Sequence, residues 1–161
     1  MKSCLILTGG KLNLAFARSF LEKEHFDKVI AVDGGLESAE ALGITPDYIV
    51  GDFDTVSKEV TDRFRSLPFI VWEQHKPEKN ETDTELARSR ALTLGCDRLV
   101  FLGATGGRLD HMLGNLHALY ACLEKGIDAS LVDAQNRIYL LDQGKSFYRK
   151  NLWGKYVSFL P

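Results

Sequence analysis

The chain has 161 residues, of which 45% are hydrophobic, 26% charged and 10% aromatic. That composition excludes a disordered or collagen-like polymer and gives length enough to bury roughly 70% of the unfolded surface, in about one domain. Twenty basic against 22 acidic residues leave a net charge of −2, which offers no field to attract nucleic acid or an anionic membrane, so neither is an expected partner.

From residue 3 to about 133, short Val, Ile and Leu runs alternate with stretches of helical period, as in βα units around a mostly parallel sheet with helices on both faces. The predicted strands are Cys4–Leu7, Lys28–Val32, Tyr48–Val50, Phe69–Trp72, Arg98–Leu102 and Ala129–Val132. Thr82-Asp83-Thr84-Glu85 has capping-box spacing ahead of Leu86, Ala87, Ala91 and Leu94, with Gly95 as terminator, which puts Asp83 in a helix's first turn. Leu109, Met112, Leu113, Leu116, Tyr120 and Leu123 recur at spacings of three and four before Gly126, predicting a helix whose apolar stripe faces the sheet. After Asp133 the texture changes. Residues 137–141, 146–148 and 156–160 read as strands joined by glycine turns, so the chain divides into an α/β domain over 1–133 and the start of a second, all-β element over 134–161, too small to form its own core.

The three cysteines, Cys4, Cys96 and Cys122, are odd in number and lie among Leu and Ile, so they read as buried free thiols of a reducing compartment. No apolar run approaches 18 residues, and the hydrophobic stretch at the N-terminus is too short for a signal peptide. The expected location is cytoplasmic.

Three glycine doublets, Gly9-Gly10, Gly34-Gly35 and Gly106-Gly107, follow predicted strands. They suit close approach of phosphate to backbone N–H groups, or merely tight βα turns, and they match no Walker or dinucleotide fingerprint. In Gly51-Asp52-Phe53-Asp54 an extended backbone would send both carboxylates to one side and Phe53 to the other. About 6 Å apart, the two charges repel by about 2–3 kcal/mol at an effective dielectric near 20, which a hard cation such as Mg²⁺ would relieve. A solvated acidic turn is the plain alternative. Asp33 and Asp83 stand at comparable strand-to-helix junctions. In Thr105-Gly106-Gly107-Arg108-Leu109-Asp110-His111, Arg108 can fork onto phosphate or pair at the surface with Asp110. No Cys/His cluster has zinc spacing, and no nucleophile elbow is present.

With Asp33-Gly34-Gly35, Gly51-Asp52-Phe53-Asp54, Thr82-Asp83-Thr84-Glu85-Leu86 and Thr105 through His111 in this order, the sequence resembles the bacterial thiamine pyrophosphokinases over essentially its whole length. The resemblance implies a homodimer that moves diphosphate from ATP to thiamine with Mg²⁺, each subunit pairing an α/β catalytic domain with a β-sandwich. By the same resemblance Asp52, Asp54 and Asp83 are the metal aspartates and Asp33 the acid beside them. Gly34, Thr82, Thr105, Gly106, Gly107, Arg108, Asp110, His111 and Asn136 would hold ATP, and Lys79 would face the substrates. Thr55 stands where the family usually has Ser, and Asn80 where Asp is common. The chain also ends at Pro161, before the strands that close the family's sandwich. Diphosphorylation of another hydroxymethyl heterocycle such as a pterin is the rival enzyme reading. A non-catalytic nucleotide-binding module is the rival of another class, disfavoured because all four aspartates are present.

Overall fold

The computed structural model describes residues 1–75 and 81–160. In chain order the elements are β1 (Ser3–Leu7), α1 (Leu14–Leu21), β2 (Lys28–Val32), α2 (Gly35–Leu42), β3 (Tyr48–Gly51), α3 (Lys58–Arg65), β4 (Val71–Gln74), α4 (Asp83–Thr93), β5 (Arg98–Leu102), α5 (Leu109–Leu123), β6 (Asp128–Val132) and β7 (Arg137–Ile138). They build one seven-stranded sheet of order β4-β3-β2-β1-β5-β6-β7. Six strands run parallel, and only β7 pairs antiparallel, with β6.

Side chains alternate across the sheet and fill two cores. Cys4, Ile6, Ile30, Leu99 and Phe101 pack beneath α4 and α5 through Ala87, Ala91, Leu119 and Cys122. Leu5, Leu7, Ala31, Ile49 and Val100 pack on the opposite face against Ala17 and Phe20 of α1, Leu36 and Ala39 of α2, and Val60 and Phe64 of α3. Burial on both faces is why these strands read as continuous apolar runs. All three cysteines are buried free thiols. Among the described residues no helix is long and apolar enough to cross a membrane.

Three expectations need correction. The fourth strand begins at Val71, two residues later than predicted, because residues 68–69 form a turn and the ladder starts only where Val71 meets Tyr48. The apolar stripe of α5 faces the sheet only in part: Leu116 packs against the core, and Met112 and Leu123 are half-buried, but Leu109, Leu113 and Tyr120 are 69%, 51% and 56% exposed. Asn115, Ala118, Leu119 and Cys122 turn inward instead. Asn115 Nδ2 donates to the Ala104 carbonyl at 2.9 Å, fixing the helix's rotation, and the small Ala118 and Cys122 admit it close to the strands. After β7, residues 139–160 form no further strand. From Leu140 to Leu160 every residue except Leu152 is exposed, and a short strand without neighbours on its edges has nothing to hold it extended.

Candidate active site

The loops that leave the parallel strands share one edge, so all three glycine doublets and all four aspartates gather at the carboxyl ends of the sheet. Asp33 follows β2, Asp52 and Asp54 follow β3, and Asp83 opens α4. Thr82 caps that helix with its hydroxyl on the Glu85 N–H while Glu85 reaches back to the Thr82 N–H, the reciprocal box expected from the sequence.

Asp33 is the centre of the acidic half. Its N–H is held by the Val50 carbonyl at 3.1 Å, and its Oδ1 accepts from the N–H groups of Asp52 at 3.0 Å and Phe53 at 3.4 Å. Gly51 makes room for this carboxylate, since a Cβ there would lie 1.7 Å from Asp33 Oδ1. Asp33 itself takes a positive φ of 44°. Burial, then a side-chain hydrogen bond and like charge from Asp83, push the Asp33 carboxyl up to about 7, while the Phe53 N–H acts against the rise. The two carboxyls are therefore close enough to share a proton.

The Asp-x-Asp segment is not extended. Phe53 adopts φ 65° and is buried with its ring edge-on to Trp72 at 5.1 Å. The Asp54 N–H donates to Asp52 Oδ1 at 3.1 Å. Burying Phe53 dictates a left-handed turn, so the expected same-side projection does not follow from a strand geometry. Among the described residues no three His, Cys, Asp or Glu side chains converge on one point able to hold a metal. The donors nevertheless suit magnesium: they are carboxylate oxygens, and a dication held by Asp83 with its neighbours would relieve the repulsion between Asp83 and Asp33. Magnesium commonly takes one or two carboxylates and completes its shell with phosphate oxygens and water.

The other half of the edge lies over β1, β5 and β6. Gly10 is pressed against the loop after β5, since a Cβ there would meet the Gly103 carbonyl oxygen at 2.1 Å and that of Gly106 at 2.5 Å. Gly34 packs on Gly9 from the β2 side. Arg108, at the N-cap of α5, forks onto Asp110, Nε to Oδ1 at 3.1 Å and Nη2 to Oδ2 at 2.5 Å, and the His111 N–H also donates to Asp110 Oδ1. All three side chains are exposed, and the pairing raises the Arg108 and lowers the Asp110 proton affinity.

Asp133 is the residue that the sequence reading missed. It accepts from the Thr105 hydroxyl at 2.6 Å, from the Gln135 and Asn136 N–H groups at 2.7 and 2.6 Å, and from Asn136 Nδ2 at 3.1 Å. Burial works to raise this carboxyl, but those donors outweigh it and hold it below the usual carboxylate range. Asp133 thus ties the β5 loop to the segment carrying Asn136. Its signal was available, because it is an aspartate just past a strand, like Asp33. His75, after β4, donates its N–H to the Gly51 carbonyl, and its buried Nε2 has no hydrogen-bond partner among the described residues. Lys79 and Asn80 lie outside the described residues.

Residues 21–131 match the model of the thiamin pyrophosphokinase catalytic domain. The chain belongs to the thiamin pyrophosphokinase family. It is 34% identical to thiamine pyrophosphokinase of Bacillus subtilis over 162 aligned positions, covering all of this chain and 74% of that protein. The crystal structure of the B. subtilis protein superposes with a TM-score of 0.74 at 32% identity, over 86% of this chain and 63% of that one. A pyrophosphokinase structure from Geobacillus thermodenitrificans gives 0.69 at 27% identity, over 85% and 61%. Yeast thiamin pyrophosphokinase, at 18% identity and a TM-score of 0.71, shares the fold. The chain thus spans 61 to 63% of the length of these three solved chains.

Proposed function

We propose that the chain transfers diphosphate from ATP to the hydroxyethyl oxygen of thiamine, giving thiamine diphosphate and AMP, with Mg²⁺ as cofactor. The observation that carries this reading is the hydrogen-bonded Asp33–Asp83 carboxyl pair, beside glycine loops at the strand ends of a pyrophosphokinase fold. Phosphoryl chemistry needs charge neutralisation and positioning more than a covalent catalyst. Mg²⁺ held by Asp52, Asp54 and Asp83 would supply the neutralising charge at the phosphate oxygens. Asp33 or Asp54, beside the metal carboxylates at the strand ends, would take the alcohol proton. A bond then forms from the alcohol oxygen to the β-phosphorus as the α–β bridging bond breaks, and AMP leaves with that electron pair.

Thr105, Gly106, Gly107, Arg108, Asp110 and His111 would hold the nucleotide with Gly34, Thr82 and Asn136, and Lys79 would face the substrates. In the same reading residues 134–161, which hold no strand beyond β7 among the described residues, would contribute to a thiamine-binding β-sandwich by pairing with further strands, the enzyme is a cytoplasmic homodimer, and the acceptor is thiamine in preference to a pterin. The test is to incubate the chain with ATP, Mg²⁺ and thiamine and to separate the nucleotides. AMP is expected in step with thiamine diphosphate. ADP with thiamine monophosphate as the primary products would refute the reading.

A further inference from the structure

The sheet grows outward in both directions from β1, with β2 on one side and β5 on the other. Open parallel sheets bind ligands outside the strand ends at such a switch of direction. The walls there are the loop after β1, residues 8–11, and the loop after β5, residues 103–107. Lys11 is rooted at their junction: a Cβ on Gly106 would stand 2.5 Å from the Lys11 carbonyl oxygen, 3.0 Å from its Cβ and 3.1 Å from its nitrogen. Close packing of backbone on backbone therefore fixes where this side chain starts.

Lys11 is exposed and enters no ion pair or side-chain hydrogen bond among the described residues. The neighbouring cation differs, because the guanidinium fork of Arg108 is taken up by Asp110. Asp33, Asp52, Asp54 and Asp83 make the adjoining half of the edge acidic, which repels an approaching polyphosphate. An uncompensated ammonium over the glycine loop is the complement such a ligand needs.

We propose that Lys11 binds the phosphate chain of the nucleotide above Gly106, an assignment that rests on the nucleotide-dependent function proposed above. A lysine acts on phosphate as a mobile point charge, so an arginine rooted at the same place keeps most of the attraction. The experiment is calorimetric titration of the chain with Mg·ATP, comparing wild type, Lys11→Met and Lys11→Arg. Lys11→Met is expected to raise the Kd about tenfold and to weaken its dependence on salt, whereas Lys11→Arg stays within about threefold of wild type. Thermal midpoints should not move, since Lys11 is exposed and its ammonium makes no ion pair or hydrogen bond among the described residues. A Lys11→Met protein that binds Mg·ATP within about twofold of wild type overturns the assignment alone. A wild-type chain that binds no nucleotide overturns the proposed function and this assignment with it.

Discussion

The two halves of the strand-end edge are built on opposite plans. On the β2–β3 side Asp33, Asp52 and Asp83 are half-buried, with Asp54 exposed, and the centre is wired to backbone: Asp33 takes two N–H groups and a carboxyl neighbour, and Gly51 is hollowed out to admit it. On the β1–β5 side the backbone is what packs tightly, glycine against carbonyl, while the charged groups Lys11, Arg108 and Asp110 are exposed, as is His111. Burial multiplies the electrostatic consequence of each charge, and exposure screens it. The acidic half should therefore be sensitive to single-atom changes and to pH, and the glycine half should tolerate them.

The largest effect is expected in the acidic half. Asp52→Asn or Asp54→Asn should lower turnover about a thousandfold at limiting Mg²⁺ and leave the fold intact. Asn at position 52 keeps the Oδ1 that accepts the Asp54 N–H, so the loop need not move. Near-normal rates in either variant would remove these side chains from the metal site.

The second contrast is with pH. In the folded chain Asp33 binds its proton up to about pH 7, against an ordinary carboxylate value of 3.8. Between these values the folded state holds more protons than the unfolded one. Its stabilising contribution is thus complete below about pH 4 and is lost as the pH rises through 7. Metal-free protein should be more stable towards urea at pH 5.5 than at pH 8 by about 1 kcal/mol, half of the unscreened linkage value, because water reaches a half-buried pair. Asp33→Asn should flatten the dependence, and stability that rises with pH in wild type would contradict the shared proton.

The smallest effect is expected at Asp110, whose pairing with Arg108 is fully exposed. Asp110→Asn should leave the thermal midpoint within about one degree of wild type. A drop of several degrees would show that the glycine half is as tightly coupled as the acidic half, and the contrast between them would fail.

Much of this arrangement was legible in the sequence because it follows from local rules. Alternating apolar runs placed the parallel strands, and Thr82 with Glu85 placed the start of α4 and hence Asp83. Glycine after strand put the loops on one edge. What was not legible depends on three-dimensional partners. The rotation of α5 is settled by Asn115 meeting Ala104, eleven residues earlier, so Leu109, Leu113 and Tyr120 of the most conspicuous apolar stripe turn away from the sheet. The turn at Phe53 is settled by Trp72 on a neighbouring strand, and the role of Asp133 by Thr105 across the β5–β6 edge. Residues 139–160 carry alternating apolar side chains, but pattern alone does not make a strand where no second strand lies alongside.

The contact between Phe53 and Trp72 gives the acidic loop a built-in optical reporter. The indole lies edge-on to a ring that shares its backbone turn with Asp52 and Asp54, and the Arg65 guanidinium covers it at 4.6 Å. The chain's other tryptophan, Trp153, rests on Phe16 and Phe20 of α1. A rearrangement of the acidic loop thus perturbs one indole while the other serves as an internal reference. Replacing Trp153 with Phe isolates the emission of the loop, and occupancy of the acidic half can then be followed without labelling or turnover.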